Sequence, residues 1–117
     1  MPFEKTASKI FSHPFKKMYE AACFSIKPMG GKILKNDPAN KFMQAQMDKK
    51  LYGKVLGDRS MLEVTFSTEA DGSTRMDVLV YPLNAVGQKL MFGARKGVVE
   101  TVLAAFYEEV EKRLTEN

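Results

Sequence analysis

The sequence is poor in the residues from which most enzymatic and metal sites are built. Its 117 residues include one histidine, one cysteine and no tryptophan. One His and one Cys cannot supply the four N or S ligands of a structural zinc site, so no metal or other cofactor is expected. The lone Cys23 has no internal disulfide partner, which points to a reducing, cytoplasmic setting. Cys23 and the only histidine, His13, are ten residues apart. On one helix that spacing is about 15 Å, too far for a nucleophile–base pair. His13 therefore reads as a polar residue of a helix's first turn, and Cys23 as a small, buried or half-buried apolar one.

Long apolar runs are also missing. No uncharged apolar stretch approaches the roughly 20 residues of a membrane span. Met1-Pro2-Phe3-Glu4-Lys5 lacks the basic-then-apolar order of a signal peptide. There is no G-x-G-x-x-G, P-loop, G-x-S-x-G or H-E-x-x-H motif. The acids lie singly in strands and turns, and the cluster Glu108, Glu109, Glu111 reads as a solvated helix face. No acid–base pair sits at a credible spacing, so an enzyme is not expected.

What is present is an ordinary globular composition, 44% apolar and 27% charged, in a chain of single-domain length. The net charge of +4 is uneven: residues 1–54 hold eleven lysines and four acids, whereas residues 55–117 hold seven basic and ten acidic residues. The lysine-rich first half has no aromatic stacking motif of the RNP1-like kind, so nucleic-acid binding through it is the least favoured of the binding readings.

Turn residues divide the chain at regular intervals. Residues 3–11 read as a strand, although Phe3, Ala7, Ile10 and Phe11 would also form a helical stripe. A helix is expected from about residue 13, with Ser12 as its N-cap and Pro14 in its first turn. Its stripe is Phe15, Met18, Tyr19, Ala22 and Ile26, and Lys27-Pro28-Met29-Gly30-Gly31 stops it. Lys32 to Lys35 and residues 41–51 read as strands on either side of the turn Asn36-Asp37-Pro38-Ala39-Asn40. Residues 61–68 and 74–82 alternate cleanly around Asp71-Gly72, the strongest hairpin signal. Leu62, Val64, Phe66, Met76, Val78 and Val80 point one way, and Leu79 and Tyr81 the other. Pro82 ends the last strand or places it at a sheet edge. A connector, residues 83–93, leads to a long helix over residues 94–114, with Val99, Val102, Leu103, Phe106, Val110 and Leu114 inward and Glu100, Glu108, Glu109, Glu111 and Lys112 outward.

These periods predict an α+β domain spanning residues 1–117. An antiparallel sheet of four to five strands has one face covered by an N-terminal helix and a long C-terminal helix, in the order β-α-β-β-β-β-α. The run Ala7-Ser8-Lys9-Ile10-Phe11-Ser12-His13-Pro14-Phe15-Lys16-Lys17-Met18-Tyr19-Glu20-Ala21-Ala22 looks like a strand passing through a proline into a helix. Val98-Val99-Glu100-Thr101-Val102-Leu103-Ala104-Ala105-Phe106 looks like a long gripping helix. Together they resemble the helix-grip fold of the START and polyketide-cyclase-like superfamily, with one or two strands fewer. The resemblance implies an apolar ligand held between sheet and C-terminal helix and carries over no catalytic residue.

Methionine is over-used, and Met18, Met43, Met47 and Met76 all fall on inward faces. With Phe106 they are the candidate lining of an adaptable apolar pocket, whose occupant would be an apolar or amphipathic small molecule. At the start of the last helix, Gly93, Arg95, Lys96 and Gly97, with Lys89 leaning toward them, are candidates for holding a phosphate or carboxylate. Leu79 and Tyr81 on the outer face are candidates for a protein interface, including a homodimer. The leading reading is a non-catalytic small-molecule binding domain, followed by an interaction domain.

Overall fold

The computed structural model describes residues 3–90 and 92–115. Its framework is the hairpin that Asp71-Gly72 predicts. Strand β6 (Arg59–Thr68) pairs with β7 (Thr74–Leu83) along their whole length. Gly72 takes a φ of +89° in the connecting turn. Asp71 accepts hydrogen bonds from the Ser73 N–H and hydroxyl, which hold its carboxyl below the usual range.

Three more strands complete an antiparallel sheet in the order β1-β7-β6-β3-β2. They are β1 (Lys5–Phe11), β2 (Lys32–Asp37) and β3 (Phe42–Met47). Asp37 ends β2 by accepting the Asn40 N–H, which closes a short 3₁₀ turn at Pro38–Asn40. The predicted α+β class, the five-stranded sheet and the two covering helices are all present. Helices α1 (Phe15–Ile26) and α2 (Val98–Thr115) lie on the same face, where their buried residues meet those of β3, β6 and β7 in one continuous core.

Several boundaries differ from the sequence reading. Helix α1 begins at Phe15, not near residue 13. Pro14 is the capping residue, its φ of −69° and ψ of 160° are extended, and its carbonyl accepts the Met18 N–H. Ser12 is therefore not the cap; a residue preceding proline is pushed out of the helical region, which keeps His13 outside as well. Helix α2 begins at Val98, not Ala94, because Gly93 and Gly97 take positive φ values of 74° and 86°. Glu109, expected in water, is buried at 8% exposure. Pro82 neither ends β7 nor places it at an edge. The last pair with β1 is Lys5 to Val80, so the missing Pro82 N–H falls beyond the end of β1, while the Pro82 carbonyl accepts the Leu90 N–H.

β1 is a strand whose pattern is unlike that of a core strand. Its inward register places Lys9 opposite Met76 and Ala7 opposite Val78. At the sheet edge these inward lysines meet the flank of α2: Lys9 pairs with Glu111, and Lys5 approaches Glu100 at 3.7 Å. Ile10 points outward and is exposed.

The strand expected over residues 41–51 stops at Met47. A separate two-stranded hairpin follows, β4 (Lys50–Leu51) and β5 (Lys54–Val55), outside the main sheet. Its turn residues Tyr52 and Gly53 both have positive φ, 52° and 82°, as a two-residue turn of the I′ kind requires. That conformation disfavours Tyr52. The hairpin is held by other means. Leu51 is buried in the core, the Lys49 carbonyl accepts the Leu56 and Gly57 N–H groups, and the Tyr52 hydroxyl donates to Glu109 Oε1 of α2 at 2.6 Å. The Tyr52 ring is exposed, but lost hydration at its hydroxyl, with Glu109 beside it, pushes the phenol up to about 12.

Two outcomes follow from this packing. Phe106 has no exposed surface whereas Phe92 is 86% exposed. Urea unfolding should therefore show Phe106→Ala losing about 3–5 kcal/mol and Phe92→Ala within about 0.5 kcal/mol of the parent. Tyr52→Phe should lose about 1 kcal/mol at neutral pH. Because the folded-state pKa of Tyr52 is raised from 10.0 to about 12, this contribution is complete below pH 10 and disappears as pH rises through 12. Parent and variant stabilities, measured from pH 8 to 12, should converge.

Candidate functional site

The sheet–helix interface brings the five predicted pocket residues together. β3 supplies Met43 and Met47, β7 supplies Met76, α1 supplies Met18 and α2 supplies Phe106. All five are 0–1% exposed and belong to the same core. A side chain with no accessible surface leaves no water-sized gap against it, so these side chains fill the interior themselves. Met29, which the sequence reading placed in the stop after α1, is also fully buried there. The fit is close at Gly31, where a Cβ would lie 2.6 Å from the Met47 sulfur.

One buried hydroxyl here is unmatched. Ser60, on the inward row of β6, is completely buried, and its Oγ has no hydrogen-bond partner among the described residues. Its cross-strand neighbours are Met47 and Pro82. An unmatched buried hydroxyl costs about 1–3 kcal/mol. The sequence reading began this strand at residue 61 and so missed it. Carrying the alternation of Leu62, Val64 and Phe66 back by one step would have placed Ser60 inside.

The interior ends, on this side, at the β4–β5 hairpin. β3 finishes at Met47 and β6 starts at Arg59, and the hairpin spans the chain between them. Only Leu51 and the half-buried Leu56 of this segment pack against the core.

The anion candidates are placed in the loop before α2. Arg95, Lys96 and Gly97 line a depression of about 240 Å³ with Phe3 and Glu100. The Arg95 N–H donates to Asp58 Oδ2 at 2.7 Å, and its guanidinium lies 3.9 Å from Asp58 Oδ1, over Gly57. Lys89 pairs with Glu4 at 2.5 Å and sits 5.0 Å above the Tyr81 ring. Two of the three candidate cations thus already face carboxylates of their own chain, and Glu100 puts a carboxylate on the lining of the depression itself.

On the outer face, Leu79 is half-buried and Tyr81 is engaged within the chain. Its hydroxyl donates to Glu63 at 3.3 Å, and the same carboxylate accepts from Gln44 Nε2 at 2.9 Å. Lost hydration and the Glu63 charge push the Tyr81 phenol up. A shallow depression of about 550 Å³ on this face is of mixed lining, with Leu79 and Ala7 beside Ser8, Glu63, Arg75 and Asp77. Ser8 and then Arg75 hold the Asp77 carboxyl low.

His13 lies outside α1, and its carbonyl accepts the Thr74 hydroxyl at 2.8 Å. Cys23 is half-buried on α1, and burial pushes its thiol up. Among the described residues, no three His, Cys, Asp or Glu side chains converge as metal ligands, and no helix is long and apolar enough to cross a membrane.

No protein-family profile and no curated protein matches the sequence. Solved structures do match in three dimensions. A protein from Nitrosospira multiformis superposes with a TM-score of 0.58 at 11% identity, over 97% of this chain and 97% of that one. The allergen Ara h 8.0201 gives 0.58 and 11%, over 97% of this chain and 99% of that one. Likeness at such low identity is likeness of fold: an antiparallel sheet closed by an N-terminal helix and a long C-terminal helix, the helix-grip or Bet v1-like architecture.

Proposed function

We propose that this protein is a non-catalytic helix-grip domain that binds an apolar or amphipathic small molecule between the sheet and α2. One observation carries the reading. The buried interface between sheet and helices is furnished with Met18, Met29, Met43, Met47 and Met76. A core needing only stability is better built from branched side chains with few rotamers. Methionine has three rotatable bonds and a polarizable sulfur, and it re-packs around a guest at small cost. In this reading the methionines occupy the space of the ligand and move aside for it. The β4–β5 hairpin is the element that lifts, since it lies outside the main sheet and its turn is held to α2 by one hydroxyl–carboxylate bond.

Selective ¹³C labelling of the methionine methyl groups tests this directly. On titration with α-methylstyrene, the signals of Met18, Met43, Met47 and Met76 should shift and saturate together. Met61, on the outer row of β6 opposite Tyr81, should not move. Native mass spectrometry of the purified protein, before and after denaturing extraction, should release a small apolar mass. Linear, non-saturating shifts at all methionines together with a ligand-free native mass would overturn the proposal. The same native spectrum reads any association between copies.

A further inference from the structure

Among the described residues, the other buried hydroxyls are matched. Ser25 donates to the Ala21 carbonyl at 2.6 Å, Thr74 donates to the His13 carbonyl at 2.8 Å, and Tyr19 reaches both Asn36 and the Phe42 carbonyl. Ser60 alone among these has no partner, at 0% exposure. Its position is also distinctive. It faces the helices, at the end of the sheet where β3 stops and the β4–β5 hairpin departs. Its neighbours across the sheet are a flexible thioether, Met47, and Pro82, which has no N–H to offer. A buried hydroxyl with no partner among the described residues calls for an explanation, and its O–H is free to donate.

We infer that Ser60 is the polar anchor of the small-molecule site. The apolar body of the ligand replaces methionine side chains, and one oxygen of it, of the ketone, ester or ether type, accepts the Ser60 O–H. The inference rests on the binding reading above and narrows it. The ligand is mostly apolar and uncharged at this end, with a single hydrogen-bond acceptor placed there. A carboxylate or ammonium would bring a charge against Met47 and Pro82, and one hydroxyl does not offset that desolvation.

Acetophenone and α-methylstyrene provide the test. They share a shape and differ in a C=O against a C=CH2. Their dissociation constants would be measured by the methionine-methyl titration on the full chain, parent and Ser60→Ala. The expected result is that Ser60→Ala weakens acetophenone about fivefold or more and changes α-methylstyrene by less than about twofold. The unliganded Ser60→Ala protein should melt at or above the parent temperature, because an unmatched hydroxyl has been removed. If Ser60→Ala leaves acetophenone unchanged, or weakens both probes equally, Ser60 is not the anchor although the pocket stands. If Ser60→Ala melts several degrees lower or does not fold, the hydroxyl is already satisfied within the protein and the inference falls. If neither probe binds the parent, the binding reading itself fails and takes the anchor with it. Ser60→Cys, close in volume but a poorer donor, should shift acetophenone in the same direction as Ser60→Ala and by less.

Discussion

The inward row of the β6–β7 hairpin has to be kept from water, and α1 and α2 are the helices that do it. That row runs Leu62, Val64 and Phe66 beside Met76, Val78 and Val80, in register and buried along its length. It is the widest apolar surface that the chain makes by local pairing alone. Everything else is arranged around its coverage. β3 extends it with Met43, Ala45 and Met47, α1 lays Met18 and Ala22 against it, and α2 seals it with Val102, Phe106 and Val110. Where the apolar supply runs out, at β1, lysines reach up to the acids of α2 instead. The burial of the central row contributes far more than these exposed ion pairs, which fix the direction of α2 more than they hold it.

Much of this was legible because periodicity survives wherever one face of an element is buried along its whole length. β6, β7 and the stripe of α2 show it in full. Legibility failed where tertiary contacts replaced local ones. Residues 3–11 could be read as strand or helix because β1 has its inward positions filled by Lys5, Ala7, Lys9 and Phe11, a row whose logic depends on glutamates a hundred residues away. Residues 48–51 read as the end of a strand because the hairpin there depends on a tyrosine at positive φ and on Glu109. Glu109 itself read as solvated because its sequence neighbours Glu108 and Glu111 are acids; Arg113 stands one turn further along the same helix, and only the fold brings Tyr52 to it.

The candidate site was partly legible for the same reason. The inward methionines announced themselves by spacing, and the fold gathers them. The glycines and cations before α2 were also placed together in part, but their carboxylate partners Asp58 and Glu4 come from distant loops, and no spacing along the chain reveals them. Ser60 was within reach of the pattern and escaped only because strand ends are where alternation is hardest to follow. The hydrophilic character of the outer face follows from β6 and β7 directly, since Glu63, Thr65, Arg75 and Asp77 occupy its centre.

β2 forms one border of the sheet, and a border strand is a template on which another chain can add itself. The pairing of β2 with β3 shifts between Ile33 and Lys35, leaving Leu34 as an extra residue. That single insertion changes the spacing of the N–H and C=O groups on the free side as well. A regular second strand laid along β2 meets Lys32 and Ile33 in one phase and Lys35 to Asp37 in another, which disfavours continuous pairing. Exposed Ile33 and Leu34 therefore sit on a border that resists growth into a fibre. The irregularity limits the sheet at that side, so a surface that looks adhesive by composition is unsuited to adhesion by geometry.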